Sequence, residues 1–250
     1  MQIKQKEDVQ WIEYTLLKEF TNLSHGSILR HGGSSPAPYD SMNLSYSSGD
    51  HKENVDKNLN IIQSIFKLDN IKTAQQCHST EHHHLKEEST PIIQNCDAFL
   101  CNELHLSSLI QHADCQAALF YDPIQHAYAN VHAGWRASIE NIYAKTIQLM
   151  KDSFGSKVEN LLVCLSPSLG PEHSEFIHYK TEFPEFFWDF QIKANFFNFW
   201  EISRQQLLQE GILNSHIECA QLCTYHNEKD FFSYRRDKLT GRNATFIMLR

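Results

Sequence analysis

The stretch QHADCQAALFYDPIQHAYANVHAGWR, residues 111–136, decides how this chain folds. Its apolar run Ala117-Ala118-Leu119-Phe120-Tyr121 and its alternating run Ala127-Tyr128-Ala129-Asn130-Val131 each predict a short strand. Asp122-Pro123 between them predicts a turn, so the two strands pair. Cys115 precedes the first strand and His132 closes the second. Pairing carries both side chains to one edge of a sheet, where a thiolate and an imidazole can share a divalent metal or act as nucleophile and base. The same two residues also suit plainer roles, a buried small hydrophobe and a hydrogen-bonded polar group, so a third residue is needed.

His78 supplies it. It sits in Gln75-Gln76-Cys77-His78-Ser79, just after the strand-like run Ile71-Lys72-Thr73-Ala74, where a strand again gives way to a loop. Two His and one Cys form the three-ligand set of catalytic zinc sites, which keep a fourth position open for water or substrate. The ligands lie 37 and then 17 residues apart, too far for a knuckle or finger, so they must converge through tertiary structure.

The rest of the chain sets bounds. With 250 residues, 41% of them hydrophobic and 21% charged, it is long enough to bury a sizeable core as one domain over 1–250. A formal charge of −8 argues against a nucleic-acid surface or an anionic membrane partner, since both need clustered Lys and Arg. The start, MQIKQKEDVQWIEY, has no apolar signal region and no stretch reaches about 18 consecutive apolar residues, so the expected location is the cytoplasm. The seven Cys, an odd number scattered along the chain, favour reduced thiols over a disulfide framework.

Helices and strands alternate irregularly, with no fixed repeat. Residues 53–67 and 137–150 each carry apolar side chains at helical spacing and predict one amphipathic helix apiece. Leu161–Leu165 predicts a buried strand and Thr245–Leu249 a terminal one, and the helix from about Phe199 to Glu210 ends at Gly211. The turn-rich Gly32–Tyr39 segment predicts a loop. The aromatic stretch 176–200 suits core or dimer-interface packing better than a ligand box. The run His82-His83-His84 reads as a solvated turn or edge, because neighbouring strand residues alternate faces and cannot share one metal. Cys219, Cys223 and His226 lack a fourth ligand and are read as structural.

Several motifs together resemble the YfiH-type, laccase-domain family. They are Arg30-His31-Gly32-Gly33-Ser34, Pro38-Tyr39-Asp40-Ser41-Met42-Asn43-Leu44, Gln76-Cys77-His78, Ala113-Asp114-Cys115, His132-Ala133-Gly134-Trp135-Arg136, and Cys223-Thr224-Tyr225 followed by Phe231-Phe232-Ser233-Tyr234-Arg235-Arg236-Asp237 and Thr240-Gly241-Arg242. They run nearly end to end and in order. The resemblance implies an α+β fold in four layers, α/β/β/α, with sheets at the centre. It implies a zinc held by His78, Cys115 and His132, and purine nucleoside phosphorylase chemistry on adenosine, inosine and S-methyl-5'-thioadenosine with phosphate, with adenosine deamination as a related activity. Arg30 and Arg136, each inside a matched motif, are the expected phosphate partners, and Asn43 a further substrate contact. A thiolate and two neutral imidazoles leave zinc a net charge near +1, enough to polarise water or phosphate oxygen.

Two other readings stay open. The family's older name records copper-dependent polyphenol oxidation, but a multicopper oxidase needs further His clusters, typically HxH repeats, and the imidazoles at 82–84 are one run of adjacent residues instead of such repeats. Cys115 beside His132 could also serve an amide hydrolase without metal. Departures from the family pattern are small: Ser79 follows His78 where Gly is frequent, Ala137 follows the HAGWR motif where Gly is usual, and Asn198 stands where relatives commonly carry Asp. Asp114 adjoins Cys115 as a candidate proton shuttle of unknown direction. Oligomeric state, monomer or homodimer, is left open.

Overall fold

A computed structural model describes residues 1–250. In chain order the strands are β1 (Gln2–Lys6), β2 (Val9–Glu13), β3 (Leu23–Ile28), β4 (Ile71–Gln75), β5 (His82–His84), β6 (Ile92–Gln94), β7 (Ala98–Cys101), β8 (Ser107–His112), β9 (Gln116–Asp122), β10 (Ala127–Ala133), β11 (Leu162–Leu165), β12 (Gln191–Lys193), β13 (Phe196–Phe197), β14 (Ile217–Cys219) and β15 (Asn243–Leu249). The helices are α1 (Lys52–Phe66), α2 (Trp135–Ile139), α3 (Ile142–Phe154), α4 (Tyr179–Glu182), α5 (Phe199–Gln209) and α6 (Tyr234–Asp237).

Two mixed sheets carry the fold. A seven-stranded sheet runs β1-β2-β3-β15-β8-β4-β6 and a six-stranded sheet runs β14-β11-β9-β10-β7-β5. The strand pattern explains why they stack. Along β9, Ala117, Leu119 and Tyr121 join one buried cluster with Ile12, Ile110 and Ile247 of the other sheet, while Ala118 and Phe120 join a second cluster with Ile142, Ile147 and Met150 of α3. Alternate residues therefore face the opposite sheet and the helix layer, which is why this strand is apolar throughout. On the far side, Ile62 and Phe66 of α1 cover Leu109, Phe246 and Met248 of the seven-stranded sheet. The result is the expected four-layer α+β arrangement, helix–sheet–sheet–helix. No helix is long and apolar enough to cross a membrane.

The predicted hairpin forms. β9 and β10 pair antiparallel with His132 opposite Ala117 and Ala133 opposite Gln116, which places Cys115 and His132 at the same sheet end. The helix expected over 137–150 is two helices instead, because Asn141 takes a left-handed backbone (φ 50°, ψ 61°) between α2 and α3 and caps α3 by accepting from Ala144 N–H. The His82–His84 run is a sheet edge, as expected, but not a solvated turn. It pairs parallel with β7, and His82 reaches Thr146 of α3 at 2.8 Å. Burial there pushes the His82 imidazole down to about 4. The aromatic stretch packs inward: Phe183, Phe187 and Phe197 form a small core with Ile202, against which Trp135, Phe176 and Phe199 lie.

Candidate metal centre and cavity

Each of the three expected ligands leaves a strand of the β-sandwich at one end. His78 follows β4, Cys115 lies between β8 and β9, and His132 is the penultimate residue of β10. Their ligand atoms all lie within 4.8 Å of one another, and the two imidazole rings meet edge to face at 4.9 Å. His78 and Asp114, just before Cys115, both hold left-handed backbones (φ 61° and 89°), a conformation non-glycine residues adopt at an energetic cost. The burial is graded: His132 is buried, Cys115 half-buried and His78 exposed.

Asp97, which the sequence reading passed over, organises the group. Its carboxylate is fully buried. It accepts from the backbone N–H groups of Cys77, His78 and Ser79 at 3.2, 3.0 and 2.8 Å, and from the Ser79 hydroxyl at 2.9 Å. Its other major partner is His132 Nδ1 at 2.8 Å. One carboxylate thus shapes the loop that presents His78 and orients the ring of His132, leaving Nε2 as that ring's free nitrogen. Burial alone would raise the Asp97 carboxyl, but His132 and these donors hold it well below the usual carboxylate range. Burial likewise pushes the Cys115 thiol up, yet His132 and then His78 overcome it and bring it down to about 6. His132 moves up against its own burial because Asp97 and Cys115 favour the imidazolium.

The group suits a divalent metal. It offers one thiolate and two imidazoles with an outer carboxylate on one imidazole, the arrangement that fixes the tautomer and raises the basicity of a metal-binding His. Gly134 is needed for the same reason. A Cβ built there would lie 2.5 Å from His78 Nδ1 and 3.4 Å from Cys115 Sγ. Gly134→Ala is therefore expected to displace the His78 ring and lower metal retention about tenfold or more, with the fold intact. Metal per chain after dialysis measures this, and retention equal to the parent would mean the ring has room to shift.

A cavity of about 900 Å³ opens over the centre. Its wall includes all three candidate ligands, the aromatic side chains Tyr46, Trp135, Phe176, Phe199 and Tyr234, and the guanidinium-bearing Arg235 and Arg242. Each guanidinium spends NH1 on backbone carbonyls, Arg235 on His173 and Glu175 and Arg242 on Thr240 and Gly241, and neither has a carboxylate partner.

The other expected contacts lie elsewhere. Arg30 donates to the Asp40 and Glu228 carbonyls, pairs with the Asp40 carboxylate at 3.3 Å and stacks on Phe232, so its charge is spent within the loops. Arg136 is exposed, lies over the Trp135 ring and does not line the cavity. Asn43 is fully buried and accepts from Arg242 N–H, so it supports the cavity wall from behind. Asp114 is no free proton shuttle either, since its two oxygens accept from Thr224 Oγ1 and Arg235 N–H. Asn198 caps α5 by accepting from Glu201 N–H, a task Asn and Asp perform alike without need of charge. Cys223 accepts from Gly170 N–H, and Cys219, Cys223 and His226 do not form a metal-capable group.

A four-layer sandwich with one cysteine-and-histidine centre at the mouth of a cavity is the architecture these observations define. The chain belongs to the multi-copper polyphenol oxidoreductase laccase family, whose family model matches residues 24–250. The purine nucleoside phosphorylase YfiH of Shigella flexneri is 32% identical over 238 residues, covering 89% of this chain and 92% of the relative. The purine nucleoside phosphorylase of Bacteroides thetaiotaomicron is 27% identical and covers 97% of both. Among solved structures, a YfiH hypothetical protein from Bacillus licheniformis superposes with a TM-score of 0.89 at 24% identity over 99% of each chain, a likeness of fold.

Proposed function

We propose that this chain is a zinc-dependent purine nucleoside phosphorylase. It cleaves adenosine, inosine and S-methyl-5'-thioadenosine with phosphate to the purine and the corresponding ribose 1-phosphate, and deaminates adenosine as a related activity. The observation that carries this reading is that one cavity wall unites His78, Cys115 and His132 with two carboxylate-free guanidinium groups and five aromatic side chains. The names of the relatives at 27–32% identity support it.

His78, Cys115 and His132 hold the metal, and bound zinc supplies Lewis-acid polarisation at this wall. Arg235 and Arg242 take the place first expected of Arg30 and Arg136: they bind the phosphate through the N–H groups their backbone contacts leave free. The aromatic side chains stack on the purine and exclude water from the developing oxocarbenium-like ribose. Copper-dependent phenol oxidation is less well served. A two-His, one-Cys set resembles a blue-copper site, but multicopper chemistry needs further His clusters and the chain holds a single metal-capable group.

A metal-free hydrolase has one specific observation in its favour, the linked Cys115, His132 and Asp97, a nucleophile, base and orienting acid. Incubation with adenosine, crossing phosphate with a chelator, separates these readings. The expected result is adenine and ribose 1-phosphate only with phosphate present, abolished by chelation. Phosphate-independent conversion to inosine alone assigns a deaminase. Amidase turnover that survives chelation assigns the hydrolase.

A further inference from the structure

Gln111 is the penultimate residue of β8 and lines the cavity, yet metal binding and phosphate binding leave it no task. Its backbone N–H donates to Gln76 Oε1 at 2.9 Å and its carbonyl accepts from Gln76 Nε2 at 2.7 Å. With the main chain closed in this way, what Gln111 offers the cavity is its side chain. That amide points in one direction only. Its Nε2 donates to the carbonyl of the fully buried Leu44 at 2.7 Å. A carbonyl only accepts, so a reversed amide would set oxygen against oxygen and leave the Leu44 carbonyl unpaired. Gln111 Oε1 is thereby fixed as an acceptor. No protein group donates to it, and unlike the sealed Nε2 of Gln116 it stays open to solvent.

Leu44 also ties this acceptor to the phosphate corner of the cavity. Its N–H donates to the Arg242 carbonyl at 3.3 Å, so the Gln111 amide and the Arg242 main chain flank a single residue. The only carboxylate of the wall, Asp114, already accepts on both oxygens. The cavity thus holds a fixed, open, uncharged acceptor near a phosphate-binding Arg, and it calls for a neutral donor of the substrate.

Two points of substrate chemistry select that donor. Phosphate displaces the base from the opposite face of the ribose, the face that carries the 2'- and 3'-hydroxyls. Those hydroxyls are common to adenosine, inosine and S-methyl-5'-thioadenosine, whereas position 6 of the purine is a donor in adenosine and an acceptor in inosine. An amide that cannot turn over suits the group that does not change. We propose that Gln111 Oε1 accepts a hydrogen bond from a ribose hydroxyl, 2' or 3', and so selects ribonucleosides, an inference that deepens the phosphorylase reading and rests on it.

Calorimetric binding to the intact, metal-loaded protein without phosphate tests this, with inosine as the probe because it has no amino group to lose. Binding is read in place of turnover, since removing a sugar hydroxyl also alters the reactivity of the glycosidic bond. One of 2'-deoxyinosine and 3'-deoxyinosine is expected to bind about tenfold or more weakly than inosine, because Oε1 is left unpaired. Gln111→Met is expected to weaken inosine by a similar factor while leaving that deoxy analogue nearly unchanged, so that the discrimination disappears. Should this variant fail to fold, Gln111→Lys keeps a donor for the Leu44 carbonyl but carries no acceptor, and is expected to lose the same discrimination. Its added charge acts alike on inosine and the analogues, all of them neutral. Inosine binding without discrimination, discrimination that survives in the variants, or equal weakening of all three ligands overturns the inference alone. An unaltered protein that binds neither inosine nor adenosine overturns the nucleoside reading and this inference with it.

Discussion

Cys115→Ala is expected to strip the metal and abolish phosphorolysis together while the chain stays folded. Losing an outer partner of a metal site costs roughly 10–100-fold in affinity or activity, and losing one of three direct ligands costs more. The fold survives because Cys115 precedes β9 at the cavity wall, and the apolar core of that strand starts only at Ala117. Circular dichroism, metal per chain and turnover of adenosine with phosphate read the three parts of the prediction. A variant that keeps its metal but loses turnover gives Cys115 a role other than metal ligand. A variant with full activity sinks the metal-centred mechanism.

The Cys115 and His132 half of the candidate centre was legible because these residues flank the apolar run 117–121 and the alternating run 127–131, which the Asp122-Pro123 turn joins into a hairpin. What pattern could not supply was direction. Arg30 and Arg136 sit in matched motifs, as do Arg235 and Arg242, but only tertiary packing reveals that Arg30 is neutralised by Asp40 and that Arg235 and Arg242 face the cavity unpaired. Asp97 escaped notice for a related reason. Its partners are mostly backbone N–H groups some twenty residues away, and backbone donors leave no trace in residue identity. The faint signal was an acid abutting the apolar run Ala98–Cys101, where a fully buried charge demands partners. The break between α2 and α3 was hidden because the apolar periodicity continues through Asn141, and only its left-handed conformation interrupts the helix.

The same carboxylate gives the remaining large effect. Asp97→Asn keeps the shape but replaces one acceptor oxygen with an NH₂ facing donors, either a backbone N–H of the 77–79 loop or His132 Nδ1. An unsatisfied buried donor costs about 1–3 kcal/mol, so the variant is expected to lose stability of that order and to retain metal about 10–100-fold less well. Its pH dependence carries a separate signature. Metal ligands must be deprotonated, so affinity rises with pH as Cys115 and His132 lose their protons. Asp97 raises the His132 pKa, to about 9 in the metal-free protein, and its loss moves that part of the rise to lower pH. For folding the sign is also set. A depressed carboxyl contributes stability at pH above its unfolded value near 3.8, lost as pH falls through the folded one, and the uncharged amide of the variant cannot contribute it. Metal titrations between pH 6 and 9 are thus expected to show a lower plateau and an earlier midpoint in the variant. An unchanged midpoint would mean that Asp97 shapes the His78 loop but does not tune His132.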